Sequence, residues 1–259
     1  MPSKSGMKGG ADEKLYGRHP VHETLIANRR RVKQIYIAEG ATRHGVLDQI
    51  LQRAEDIHIP VNFVPREQLD QFHDQHQGIV ADADPYPYVH LADILTKLDA
   101  VGDEGLVLIL DRIQDPQNLG ALLRTAEVVG VHGVVLPKRR GVGITPAVVS
   151  SSAGASEHLW IAQENLAHAI RELTHKELWI VGLDITPDAQ SLDSIPLSGP
   201  LGLVVGSEGS GLRRLVRESC DFLVKLPIKG HIKSLNAAVA GSIALYAIWQ
   251  SRGFRGYKA

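Results

Sequence analysis

The feature that most constrains this chain is an unbroken apolar run, Leu106-Val107-Leu108-Ile109-Leu110, which stops at Asp111. Apolar residues in a row, without alternation, suit a strand covered on both faces, as in a parallel sheet flanked by helices. The residues that follow continue the theme. Asp115-Pro116 offers a capping carboxylate and a proline at the first helical position. Leu119, Leu122, Leu123, Ala126 and Val129 recur at helical spacing, and Gly130 is a natural stop. Gly133 to Leu136 reads as the next strand, so strand, helix and strand form a βαβ unit. The same rhythm predicts helices over 147–155, 165–173, 212–218 and 235–252. Strands are expected over 158–161, 178–182, 201–205 and 222–226. The class is α/β with a mostly parallel sheet.

Upstream, residues 15–85 alternate helix-like and strand-like patterns in a compact αβ unit. Asp84-Pro85-Tyr86-Pro87-Tyr88 breaks that pattern, because closely spaced prolines exclude a regular helix and disfavour a central strand. The expected organisation is a disordered leader over 1–12, a first domain over 13–86, a linker over 87–104 containing a helix near 91–98, and a second domain over 105–259.

Composition narrows the function. The chain has 259 residues, 44% of them hydrophobic and 22% charged, the profile of a globular protein. No apolar run approaches the roughly 18–20 residues of a membrane span, and Met1 to Gly10 lacks the apolar core of a signal peptide. Cys220 is the single cysteine, which points to a reducing, cytoplasmic setting. The formal net charge is −1, so any affinity for nucleic acid must come from local patches. Three segments offer them: Arg29-Arg30-Arg31 with Lys33, Lys138-Arg139-Arg140, and Arg213-Arg214 with Arg217. Each also reads as an ordinary solvated basic face. His19/His22 and His73/His76 have metal-like spacing but no third ligand nearby in sequence, and are expected to be surface histidines.

Three polar clusters fall at the ends of apolar strands, where open α/β sheets place ligands. They are Asp111–Gly120 with Arg124, Val205–Leu212, and Leu226–Asn236. The second fails as a nucleotide loop. A Walker loop from Gly206 would put lysine where Leu212 stands, and a dinucleotide fingerprint from Gly209 would need Gly or Ala at Arg214. Two readings fit Glu208: an acceptor for ribose hydroxyls, or a cap in a tight turn. Arg124 reads as a phosphate clamp or as a partly exposed helical arginine. Asn118 is a cap or a ligand contact, and Ser234 is most simply the N-cap of the last helix, leaving Asn236 in its first turn.

Taken together, Asp-Pro-Gln-Asn-Leu-Gly followed by Arg at 115–124, Gly-Ser-Glu-Gly-Ser-Gly-Leu at 206–212, and Leu-Pro-Ile-Lys-Gly followed by Ser-Leu-Asn at 226–236 resemble the three motifs of the SpoU (TrmH) methyltransferases, in the same order. The first unit resembles the small ribosomal-protein-like RNA-binding domain of the RlmB subgroup, with Tyr16-Gly17-Arg18-His19-Pro20-Val21 similar to that subgroup's opening.

The resemblance implies a trefoil-knotted SPOUT methyltransferase domain behind a small αβ RNA-binding domain. It implies S-adenosylmethionine as cofactor, held by backbone groups at Gly206, Leu226, Ile228 and Leu235. Arg124 would bind the target phosphate and help activate the 2′-hydroxyl, while Asn118, Glu208, Ser234 and Asn236 shape the site. The implied protein is a homodimer that methylates a ribose 2′-hydroxyl in RNA, with a guanosine in the peptidyl-transferase region of 23S rRNA as the expected target. RNA contacts are expected at Arg29, Arg30, Arg31 and Lys233, with Lys229 and His231 as further candidates; a buried His231 fits equally. Competing readings are a transfer-RNA ribose methyltransferase and a non-catalytic RNA-binding relative. The separate first domain favours ribosomal RNA over the former, and retention of the whole polar set speaks against the latter.

Overall fold

The structure is a computed structural model, and it describes residues 12–257 apart from Ser210 and Lys233. The expected leader therefore lies, but for Asp12, outside the described residues. Among these, the chain runs β1 (Glu13–Tyr16), α1 (Arg18–Ala27), β2 (Val32–Ala38), α2 (Val46–Asp56), β3 (Val61–Val64), α3 (Arg66–Asp70) and β4 (Ile79–Ala83). It continues with α4 (Leu91–Val101), β5 (Leu106–Asp111), α5 (Pro116–Val128), β6 (Gly133–Pro137), α6 (Pro146–Ser151), β7 (Ile161–Glu164) and α7 (Leu166–His175). The last elements are β8 (Trp179–Leu183), β9 (Gln190–Ser191), β10 (Leu201–Gly206), α8 (Arg214–Arg217), β11 (Phe222–Lys225) and α9 (Ala237–Ser251). They fall into two compact units.

The first unit comprises the chain up to Pro87 together with residues 144–157. Its sheet has the order β1-β4-β2-β3, with β4 antiparallel to both neighbours and β2 parallel to β3. Ile35 and Ile37 of β2 are fully buried two residues apart, as a strand period requires. Helices α1 and α2 pack together and bury Val21, Leu25, Leu47 and Ile50. Tyr16, Ala38, Leu69 and Val80 form a second apolar cluster.

Inside this unit Arg30 is buried. Its Nε and Nη2 donate to Glu157 at 3.0 and 2.7 Å, and its Nη1 donates to Glu13 at 2.6 Å. Burial pushes the Glu157 carboxyl up, against the opposing pull of Arg30. Arg29 is half-buried and donates to the Tyr86 hydroxyl and to the carbonyls of Glu157 and Pro87. Two of the three arginines expected to touch RNA are thus committed to internal partners, and only Arg31 is exposed. Arg29 and Arg30 both turn inward onto Tyr86 and Glu157, which a run of like charges conceals. His76 also departs from expectation: it is fully buried, its Nδ1 accepts from the Gly78 amide at 2.8 Å, and its Nε2 therefore donates to Asp70 at 2.8 Å.

The second unit holds residues 88–143 and 158–257 of the described chain. Its seven strands are all parallel, in the order β7-β6-β5-β10-β8-β11-β9. β5 is fully buried along its length, as its composition demanded. Leu91, Ile94 and Leu98 of α4 join α7 and α8 in one cluster with Ile109, Val135, Ile180 and Val204. The segment expected as a linker thus contributes Leu91, Ile94 and Leu98 to this unit's core. The pattern hid this because the two prolines precede a helix with a narrow apolar stripe.

Val204 and Val205 point to opposite faces of the sheet. On the Val205 face, α9 packs on α5 and β10. Gly241 permits the approach: a β-carbon there would lie 2.5 Å from Leu122 Cδ2 and 3.0 Å from Val205 Cγ2. Helix α5 starts as its sequence predicts. The Asp115 carboxylate accepts from the amides of Gln117 and Asn118, with Pro116 in the first turn, and Gly130 turns at φ 74° after the last residue. Other boundaries differ. The helix expected over 147–155 stops at Ser151 and gives way to a 3-10 turn over Ala155–His158, which delays β7 to Ile161. β1 and β9 were not anticipated.

Candidate active site

The sheet's first strand in this unit, β5, has β6 on one side and β10 on the other. Strand order reverses there, and loops on the two sides diverge to leave a crevice beyond the carboxyl ends of the strands. A cleft of about 720 Å³ opens on that edge, beyond β8, β10 and β11. All four residues expected to hold a cofactor, Gly206, Leu226, Ile228 and Leu235, line it, as do Glu208, Ser234 and Asn236. Leu226, Ile228 and Leu235 lie in no helix or strand. Their backbone N–H and C=O groups are thus not consumed by a ladder.

The loop after β10 is tight. Gly211 donates its amide to the Ser207 carbonyl at 3.0 Å, and Gly209 and Gly211 take positive φ values of 76° and 61°. Such values favour glycine. This holds Glu208 out at the rim, where three side chains meet. Asn118 Nδ2 donates to Glu208 Oε1 at 2.5 Å, Asn236 Nδ2 donates to the same oxygen, and Asn236 Nδ2 also donates to Asn118 Oδ1 at 3.0 Å. Asn236 is fixed from its other side, since its Oδ1 accepts from the amides of Ala238 and Val239 at 2.8 and 3.2 Å. Asn236, and not Ser234, is therefore the N-cap of α9. The two readings of Glu208 resolve toward a side-chain cluster, because its carboxylate bonds amides from two other segments and caps no helix.

Arg124 stands apart. It is exposed on α5, six residues past Asn118, and does not line the cleft. Among the described residues it has no ion-pair partner. Lys233 lies outside the described residues.

Two acidic residues were missed. Asp184, directly after β8, lines the cleft, is nearly buried, and accepts from Arg217 Nε at 2.7 Å. Asp111, at the end of β5, is fully buried and accepts from Arg213 through both the backbone amide at 2.9 Å and Nε at 2.6 Å. The signal was available: a carboxylate immediately after a wholly apolar strand rarely stays buried without a cation.

An all-parallel sheet with a ligand cleft beyond the carboxyl ends of β8, β10 and β11, walled by a glycine turn and carrying amide and carboxylate groups at its rim, defines a nucleotide-type binding enzyme that is neither a P-loop nor a dinucleotide fold. Comparison with known proteins gives the family. Residues 105–246 match the SpoU rRNA Methylase family, and residues 14–89 match the RNA 2′-O ribose methyltransferase substrate binding domain. The chain belongs to the SpoU methylase family and is an RNA ribose 2′-O-methyltransferase that depends on S-adenosylmethionine. It is 41% identical over 242 residues to YacO of Bacillus subtilis, assigned to the TrmH family of tRNA/rRNA methyltransferases, covering 92% of this chain and 95% of that one. Its fold is similar to that of the SpoU methyltransferase AviRb from Streptomyces viridochromogenes in complex with AdoMet, with a TM-score of 0.77 and 22% identity, covering 94% and 92% of the two chains. It is also similar to an AdoMet-bound rRNA methyltransferase from Sinorhizobium meliloti, with a TM-score of 0.76 and 22% identity over 92% and 87%.

Proposed function

We propose that this enzyme methylates the 2′-hydroxyl of a guanosine in the peptidyl-transferase region of large-subunit ribosomal RNA, as a cytoplasmic homodimer. The observation that carries the reading is the Asn118–Glu208–Asn236 cluster on the rim of a cleft of about 720 Å³. A volume of that order suits a ligand of drug or cofactor size. The walls also fit the cofactor: apolar side chains of Val205, Leu226, Leu235 and Ala240 suit an adenine, and non-ladder backbone groups suit its polar edge. Bound S-adenosylmethionine supplies a methyl group on a sulfonium, already a strong electrophile, so the protein mainly contributes alignment.

In this reading the backbone at Gly206, Leu226, Ile228 and Leu235 holds the adenosyl part. Glu208, held by two amides, and Ser234 and Asn236 beside it position the ribose. Arg124 grips the target phosphate, a task that suits a planar guanidinium. With the cofactor bound, the methyl group would pass from sulfur to the ribose oxygen, leaving a neutral thioether, and the hydroxyl proton would pass to solvent water. A guanidinium is a poor acceptor for that proton, because its charge is delocalised over the whole planar group. The role of Arg124 is accordingly to bind the phosphate. Alignment of the two reacting atoms contributes on the order of several kcal/mol.

The dimer answers the separation of Arg124 from the cleft. Val239, Ile243 and Tyr246 form an exposed apolar stripe along α9, each close to half exposed. A second copy docking there would cover the stripe and bring Arg124 of one chain toward the cleft of the other. The trefoil knot is supported by connectivity. β11 lies beyond β8, yet the α9 that follows packs back on α5 and β10, so residues 226–236 must pass across the strand ends. Ribosomal RNA is favoured by a separate substrate-binding domain and by the rRNA named for the Sinorhizobium neighbour. Light scattering on the full chain tests the dimer: a monomer at micromolar concentration with full activity would remove it. Mapping the methylated nucleotide on unmodified ribosomal RNA and on bulk transfer RNA tests the substrate.

A further inference from the structure

A second cleft, of about 490 Å³, opens on the other half of the same strand-end edge. It is lined by Lys138, Arg139 and Arg140 after β6 and by Arg213 and Arg214 after β10, with Glu164 beside them. Two of these cations are neutralised. Lys138 Nζ lies 2.7 Å from Glu164, and Arg213 Nε lies 2.6 Å from Asp111. Arg139 and Arg140 are exposed and have no carboxylate partner among the described residues, and Arg214 is highly exposed with only a loose 3.8 Å approach to Glu218. In a chain of net charge −1, two separate segments thus converge to leave a local positive excess. Structural pairing explains Lys138 and Arg213 but not the other three.

The cleft is tied to the active-site edge through one contact. Arg213 is anchored to Asp111 at the end of β5, and Asp111 sits in register with Gly206 of the cofactor cleft. Parallel neighbours are about 4.8 Å apart, so a strand of nucleic acid leaving the one cleft meets the other within a few nucleotides. We propose that this basic cleft seats phosphates of the substrate RNA beside the methylated nucleotide, with Arg139, Arg140 and Arg214 as the contacting cations and Arg213 as the residue that positions the segment of Arg214. The inference rests on the RNA methyltransferase reading and deepens it. It moves backbone recognition from Arg29 and Arg30, which the first unit ties to internal partners, to the catalytic unit itself.

The test is the triple variant Arg139→Ala, Arg140→Ala, Arg214→Ala in the full chain, with an unmodified large-subunit rRNA transcript as probe. None of the three is buried, so cofactor affinity by calorimetry should match wild type and confirms the fold. Neutralising three phosphate contacts on a single strand should make the slope of log affinity against log salt shallower by about 2. The KM for RNA should rise on the order of tenfold, with kcat at saturating RNA retained. A second variant, Arg139→Glu with Arg140→Glu, should weaken binding further. An unchanged salt slope and KM in both variants, with wild-type transfer intact, would overturn the basic cleft alone. Absence of methyl transfer to RNA by the wild type would instead overturn the reading beneath it.

Discussion

Asn236 Nδ2 lies 3.0 Å from Asn118 Oδ1, joining the first turns of α9 and α5 across 118 residues of sequence. The same side chain caps α9 through its oxygen, so it links helix stability to site geometry. Asn236→Ala should cost about 1 kcal/mol through the cap. It should lower methyl transfer roughly 10²-fold by releasing Glu208. Asn236→Asp keeps an acceptor for Ala238 and Val239 but sets a second carboxylate against Glu208. It should restore the thermal stability and not the rate. Recovery of both would reduce Asn236 to a cap.

Gly206 ends β10 where the chain folds back on itself. A β-carbon there would lie 2.5 Å from Gly211 O and 2.7 Å from Leu212 N, both backbone atoms that no side-chain rotation can move. Gly206→Ala should displace the 207–211 loop and abolish detectable S-adenosylmethionine binding by calorimetry, while circular dichroism stays close to wild type. Wild-type affinity would mean that the loop adjusts without shaping the cleft.

The architecture of the second unit was readable because buried parallel strands announce themselves by composition, and Asp115-Pro116 and Gly130 bracket α5 through local chemistry alone. The residues lining the cofactor cleft were legible as loops after those strands. What failed was long-range. Ser234 looked like the cap of α9, but the cap is decided by which residue also reaches Asn118 and Glu208. Arg30 looked solvated, and nothing near it in sequence reveals that its partner is Glu157, 127 residues away. The core role of α4 was hidden for the same reason: its partners in β6, β7 and α7 come later in the chain.

Arg30 and Glu157 give a sharp stability test. Arg30→Met leaves a buried carboxylate without its cation and should destabilise the protein by about 3–5 kcal/mol. The double variant Arg30→Met, Glu157→Leu removes the orphan as well and should recover most of that loss in denaturant melts. Additive losses would show that the two residues do not act as a pair.

Cys220 is half-buried beside Asp221 and Asp184, and its Sγ donates to the Val216 carbonyl at 3.2 Å. Burial first, then the neighbouring carboxylates, push the thiol up to about 12. At pH 8 only a minute fraction is thiolate, so native Cys220 should react with iodoacetamide roughly 10³-fold more slowly than the unfolded chain. Labelling at comparable rates with and without denaturant would contradict the partial burial of Cys220 against Val216 of α8.

The most direct test of the central claim is transfer of a labelled methyl group to unmodified large-subunit ribosomal RNA, followed by alkaline hydrolysis and mapping. Wild type should deposit the label on one ribose 2′-oxygen, seen as a single alkali-resistant dinucleotide. Arg124→Ala should lose that product by two orders of magnitude or more, on the scale of lost alignment, while its affinity for S-adenosylmethionine is kept. Label found on a base, or wild-type transfer by the Arg124 variant, would contradict the account.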